Sequence, residues 1–135
     1  MKPDWHECPR GDVTGQWAAM YITLNRRGHF AMSRRTYERL DEPPAFVLYF
    51  DKVNNRIGLK PATLGTRNAF PVAKQGRHGG RLIRAWRLMH EFGIDLPETV
   101  QFHDIETDQD GIVMLDLRTA KVSNRSKAQS RRKSG

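Results

Sequence analysis

The sequence predicts an α+β fold: a small β-barrel or a pair of packed β-units with two helices, built from two tandem strand–helix–hairpin repeats. Residues 19–61 and 69–118 show the same order of strand, short helix, strand, turn and strand signals. Matching landmarks keep a nearly constant offset, because Pro44 and Pro97 lie 53 positions apart and Ile57 and Ile112 lie 55 apart. Such an offset indicates an internal duplication. A chain of 135 residues, 38% hydrophobic, has room for one modest core.

Three further segments surround the repeats. Residues 1–18 carry Pro, Gly and Trp without periodicity and are predicted to form an irregular arm. Residues 62–68 form a linker between the two units. Residues 119–135 are rich in Ser, Arg and Lys, so we expect a disordered basic tail.

The first unit has a start or stop signal at each element. Met20–Leu24 predicts a strand, and His29–Met32 can extend as a second one. Ser33 is a candidate N-cap for a short helix that Pro43 and the proline after it must end. The continuous apolar run Phe46–Phe50 is typical of a strand that is buried on both faces.

The second unit is predicted to contain a helix that begins at Arg81 and ends at Gly93, a typical C-terminal residue. Its apolar residues fall at helical spacing and would face the core; they are Leu82, Ala85, Trp86, Met89 and Phe92.

Two polar turns predict hairpins. Asn54 and Asn55 tolerate a positive φ and would lead into the strand that begins at Ile57. The run Asp108–Gly111 would join the segment from Thr99 to Ile105 with the closing strand Ile112–Leu117.

Charge is segregated along the chain. The net charge is +8, and the tail from Lys121 contributes six cations and no acid. Residues 67–87 hold six cations without a carboxylate, whereas residues 91–116 hold eight carboxylates without Lys or Arg. Blocks of one sign attract oppositely charged partners, so the basic blocks indicate a polyanion.

Each unit resembles the swapped-hairpin DNA-binding module of the AbrB/SpoVT type, a family that includes many antitoxins. The resemblance is carried by Arg27–Leu40, Phe46–Asp51 and Ile57–Pro61. Members usually interlock two modules into one small barrel, so the resemblance implies a single-chain version of that dimer. Two departures stand out: the usual Leu-Gly-Leu…Gly-Asp after the helix is missing, and the second unit lacks an aliphatic strand after its Gly-rich turn.

The resemblance implies DNA contacts from the turns and helix starts of both units. The candidate nucleic-acid-binding residues are Arg26, Arg27, Arg34, Arg35, Lys74, Arg77, Arg81, Arg84 and Arg87. Arg81, Arg84 and Arg87 would share a helix face, where guanidinium groups can bind phosphate in bidentate fashion. Alternatively they form a solvated face or pair with the acidic segment of residues 91–116.

The sequence therefore favours a non-enzymatic DNA-binding protein, either a transcriptional regulator or a chromosome-associated factor. One alternative is an antitoxin-like module whose acidic hairpin engages a protein partner; its acids are Asp104, Glu106, Asp108 and Asp110. Another is an RNA-binding module, and a homodimer also stays open.

Other classes of function have little support in the sequence. The histidines and the lone Cys8 show no metal-ligand spacing, and no catalytic constellation or cofactor fingerprint is present. No apolar run approaches the length of a membrane span, and we expect no signal peptide. We expect no cofactor, no metal and no membrane association, and a cytoplasmic location.

Overall fold

The computed structural model describes residues 3–6, 21–103 and 105–123. Strands between residues 22 and 122 form an antiparallel sheet, which two helices accompany. The expected α+β class is confirmed. The helices are α1 (Arg34–Arg39) and α2 (Trp86–Phe92). The strands are β1 (Ile22–Leu24), β2 (His29–Met32), β3 (Ala45–Asp51), β4 (Arg56–Ala62), β5 (Ala69–Gln75), β6 (Gly80–Arg84), β7 (Val100–Phe102), β8 (Glu106–Thr107), β9 (Val113–Asp116) and β10 (Lys121–Val122).

The two halves of the chain, β1–β4 with α1 and β5–β10 with α2, exchange strands. The order in the sheet is β10-β7-β1-β2-β6-β5-β3-β4-β9-β8, with β2 and β6 paired near its centre. On one side of this pair β1 of the first half bonds to β7 of the second half, and on the other side β5 bonds to β3. Strands β4 and β9 then pair across the halves as well. Each half therefore supplies backbone partners that the other half needs.

The sheet is not closed into a barrel, because β10 and β8 are its two ends among the described residues. Residues 103–105 connect β7, near one end, with β8 at the other. A chain from residue 102 to 106 spans at most about 14 Å. The sheet must therefore curl until its two ends lie close together, without the ladder of hydrogen bonds that would close it.

The core lies inside this curl and comes from both halves. Alternate residues of the strands point inward, as the pleat requires, and Phe30 and Ile83, which are direct partners on β2 and β6, are fully buried. Phe46, Phe102 and Leu115 are also almost completely buried. Burial of one such side chain contributes about 1.5–3 kcal/mol, so the core itself joins the halves.

The predicted start of the second helix at Arg81 is wrong. Residues 80–84 form β6, which hydrogen-bonds to β2 on one side and β5 on the other, and the helix begins only at Trp86. A strand with partners on both sides satisfies its backbone groups better than an isolated helical turn. The strand that the second unit was expected to lack is therefore present. Trp86, expected in the core, is 61% exposed.

The C-terminal third also differs from the prediction. Val100–Phe102 pairs with β1 and β10 and not with the closing strand. Across the Asp108–Gly111 turn, only the two residues of β8 pair with the closing strand, β9. The predicted tail from residue 119 contributes β10, so its first residues are ordered in the sheet. The remainder of the tail and most of the N-terminal arm lie outside the described residues.

The expectation that Phe46–Phe50 is buried on both faces is wrong, because Tyr49 of β3 is 48% exposed. Other local signals in the first half are confirmed. The Ser33 hydroxyl accepts a hydrogen bond from the Thr36 N–H at 3.1 Å, as an N-cap does. Asn55 adopts a φ of 53° in the turn between β3 and β4. The expected linker at residues 62–68 is shorter by one residue, since β4 extends to Ala62.

Asp51 stabilises the β3–β4 turn through hydrogen bonds, and its lowered pKa predicts that the stability of the protein depends on pH. Its carboxylate accepts hydrogen bonds from the Asn54 side chain at 2.8 Å, the Asn54 N–H and the Arg56 guanidinium. These contacts, Asn54 first, lower the pKa of Asp51 from 3.8 to about 2. A lowered folded-state pKa stabilises the protein above pH 3.8, and the contribution is lost as the pH falls towards 2.

We therefore expect Asp51→Asn to flatten the loss of thermal stability over that acidic range. Exposed Asp95, changed to Asn, removes the same charge without these contacts and serves as the control. Thermal midpoints measured by circular dichroism between neutral and acidic pH test the prediction. An Asp51→Asn chain whose acid profile matches that of the native chain would contradict it.

Candidate nucleic-acid interface

The nine candidate cations lie on the elements that meet at two places, each where the turn of one half packs on the helix of the other. We name them by the helix. The α1 cluster contains Arg34, Arg35, Lys74, Arg77 and Arg81, and the α2 cluster contains Arg26, Arg27, Arg84 and Arg87. Arg81 is half-buried, whereas most of the others are exposed.

In the α2 cluster the β1–β2 turn, which carries Arg26 and Arg27, packs against α2. The Gly28 carbonyl accepts a hydrogen bond from the Ala85 N–H at 2.9 Å. A Cβ placed on Gly28 would lie 2.9 Å from the Trp86 Cα. Asn25 holds the turn, because its side-chain oxygen accepts from the N–H groups of Arg27 and His29. Two exposed arginines are thus fixed beside the start of α2.

The α1 cluster is its counterpart. The β5–β6 turn carries Arg77 and lies against α1, so that a Cβ on Gly79 would come 2.9 Å from the Arg34 Cδ. Arg34 itself pairs with Glu38 one turn along α1, with Nε and Oε1 2.9 Å apart. Both groups are exposed, and an ion pair of this kind stabilises a helix by only about 0.3–0.5 kcal/mol. Arg34 can therefore exchange this partner for a phosphate at little cost.

Arg81 differs from the other candidate cations because its guanidinium contacts several groups of the protein. Its guanidinium donates to the carbonyls of Gly79 and Gly80 and lies 4.8 Å from the centre of the Tyr37 ring. Lys74 stands directly opposite it on β5, and like charges in that position destabilise a sheet. A bound polyanion would relieve this repulsion.

The expected stripe of Arg81, Arg84 and Arg87 on one helix face is wrong. Arg81 and Arg84 lie on β6, where a spacing of three residues places them on opposite faces. Only Arg87 lies on α2. The three residues are therefore divided between the two clusters, Arg81 at one end of β6 and Arg84 at the other.

In the part of the chain that the structure describes, no ion pair joins Arg81, Arg84 or Arg87 to the acidic segment of residues 91–116. The alternative that these arginines pair with that segment therefore has no support there. The Arg–carboxylate pairs there are Arg34–Glu38, Arg56–Asp51 and Arg118–Asp116. Asp108 has a turn role: its carboxylate accepts from the N–H groups of Asp110 and Ile112. Asp104 lies outside the described residues.

The sequence did not predict that Trp86 lies on the surface. Its indole stacks on the His90 ring, with centroids 5.2 Å apart and an interplanar angle of 10°. The signal that could have found it is the position of Trp86 after β6, which matches that of Arg34 after β2, 52 positions earlier. Arg34 is a surface residue, and the same place in the second half is exposed too.

An open groove of about 880 Å³ lies between α2, the middle of β3, the end of β4 and the segment that follows β4. Its lining includes the cations Lys60, Arg67 and Arg87, the carboxylate Glu91, and the aromatic ring of Phe92. Through Arg87 the groove adjoins the α2 cluster.

Within residues 3–6, 21–103 and 105–123, no group of three or more His, Cys, Asp and Glu side chains could hold a metal ion. No helix in these ranges is long and apolar enough to span a membrane. Comparison of the chain with protein-family models, curated proteins and solved structures gave no match. The function of the chain is therefore inferred from its geometry and charge alone.

Proposed function

We propose that this protein is a non-enzymatic nucleic-acid-binding protein, a DNA-binding regulator or chromosome-associated factor that contacts phosphates through its two arginine clusters. The observation that carries the proposal is that all nine cations lie on the strands, turns and helices that meet at the two turn–helix contacts. In the described residues only Arg34 among them pairs with a carboxylate.

The chemistry of the clusters suits a phosphate backbone. Guanidinium groups offer planar, bidentate donors and keep their charge at any physiological pH. Phosphate contacts fix the position and orientation of a protein on nucleic acid without reading its sequence. Six more cations follow from Lys121 onward in the sequence and would add affinity that depends on salt.

We further propose that the chain is a covalent pair of swapped-hairpin modules of the AbrB/SpoVT type. The support is the strand exchange. The second strands of the two halves, β2 and β6, pair with each other; the first strand of each half pairs with the third strand of the other; and β4 pairs with β9. Each turn also packs on the helix of the opposite half.

The proposal predicts a salt-dependent affinity that falls when exposed arginines are removed. Arg26→Ala with Arg27→Ala removes two cations from a turn that is held by its backbone and by Asn25, so the fold should persist. Affinity for duplex DNA should fall. The slope of log K against log salt should flatten by about 0.9 for each phosphate that is no longer neutralised, or about 1.8 for the pair.

Lys52→Ala with Arg118→Ala removes the same charge outside the clusters and is the matched control. Fluorescence anisotropy of a labelled duplex at several salt concentrations gives both quantities. Unlabelled single-stranded DNA and single-stranded RNA of the same sequence, used as competitors, separate a DNA preference from an RNA preference. Equal slopes for the two double variants would show that the clusters make no special phosphate contact. Absence of binding to either nucleic acid would overturn the proposed function.

A further inference from the structure

The two arginine clusters are not chemically equivalent, and the difference lies at one position. The α2 cluster holds an exposed indole, Trp86, where the α1 cluster holds Arg34. A single exposed apolar residue on a protein surface is ordinary. Trp86 is distinguished by its surroundings: cations precede and follow it at Arg84 and Arg87, and Gly28 of the Arg-bearing turn lies against its backbone.

The indole is also held in place. The His90 ring stacks on it one turn further along α2, nearly parallel. A ring that is fixed before binding loses little conformational entropy when a ligand stacks on it. With 61% of the residue exposed, much of the aromatic surface remains open to a ligand.

Resting on the proposed function, we propose that Trp86 is a stacking platform for an unpaired base, so that the preferred ligand is nucleic acid with unpaired nucleotides. The neighbouring arginines would hold the phosphates on either side of that base. Positive charge combined with an exposed aromatic ring is the usual arrangement for binding single-stranded nucleic acid. In a fully paired duplex the bases are stacked on each other and cannot reach the indole without unpairing.

The test uses the full chain and three DNA probes: a single strand, its fully paired duplex, and the same duplex with an unpaired bulge. Trp86→Ala should lower affinity for the single strand and the bulged duplex by about ten-fold, since stacking contributes about 1–3 kcal/mol per base. Affinity for the paired duplex should change by less than about two-fold. The salt slope should stay constant, because no charge is removed.

Trp86→Phe keeps a stacking ring and should retain most of the preference. Trp5→Ala removes another exposed indole, one that does not line the groove beside α2, and should change none of the affinities. Thermal midpoints confirm that each variant is folded. Native affinities for all three probes in the Trp86→Ala chain, or an equal reduction on all three, would overturn this inference and leave the phosphate contacts standing. Failure of every chain to bind any probe would instead reject the proposed function.

Discussion

Residues 1–64 and 65–135, produced as separate chains, are expected to remain unfolded alone and to fold when they are mixed. The reason is the strand exchange. Without the second half, β1 is deprived of β7, β3 of β5 and β4 of β9. The buried core contains residues of both halves, so each fragment also loses about half of it. A fragment of 64 or 71 residues with half a core has too little apolar burial to be stable.

Circular dichroism and two-dimensional NMR of each fragment, and of the equimolar mixture, measure this directly. The control is the intact chain with a protease site placed between Leu64 and Gly65, an exposed position. After cleavage its two pieces should stay together until they are denatured. Cooperative unfolding of either fragment as a monomer would show that the halves are independent.

The contrast between the halves shows what local sequence can predict. In the first half, elements begin and end at residues with specific local chemistry: Ser33 caps α1, and Asn55 supplies a positive φ. The helix of the second half is predicted too early because Leu82 and Ala85 are buried in β6 and just after it, at a spacing that also fits a helix. Only the pairing of β6 with β2, which lies in the other half, decides between the two, and no local pattern contains it.

The candidate site is predictable in part for the same reason. The run of cations without acids draws attention to Arg77, Arg81, Arg84 and Arg87, which do lie in the two clusters. Their division between the clusters depends on the strand geometry of β6. Trp86 is expected in the core because an aromatic residue at helical spacing usually belongs there, whereas the Gly28 turn and the buried residues Leu88 and Met89 occupy that side of α2.

Gly28→Ala is expected to destabilise the protein by about 2–5 kcal/mol, more than most single substitutions. Gly28 has a φ of 85°, and a left-handed conformation costs a residue with a side chain about 1–2 kcal/mol. In addition, the new Cβ would lie 2.7 Å from the Met89 Cγ and 2.9 Å from the Trp86 Cα. Overpacking of this kind adds about 1–3 kcal/mol.

Gly76→Ala is the matched control, because Gly76 also has a positive φ, 71°, but a Cβ there meets no atom within 4 Å. It should cost only the conformational part, about 1–2 kcal/mol. Urea unfolding of the two variants and the native chain gives the free energies. Equal destabilisation would show that the turn does not press on α2 as the structure indicates. A larger effect at Gly28 would identify this packing as the feature that fixes the arginine turn against the helix.

The two halves are covalently linked and differ in sequence. The proposed complex with nucleic acid therefore has a direction. A symmetric homodimer presents two identical ends and matches palindromic targets. Here one end carries Arg34 and the other carries Trp86, so turning the protein around on the same target would exchange unlike contacts. A chain of this kind would select one of two orientations on its nucleic acid, and any partner that it recruits would always stand on the same side of the site. Its assembly would also be independent of its own concentration, since the exchanging strands can never diffuse apart.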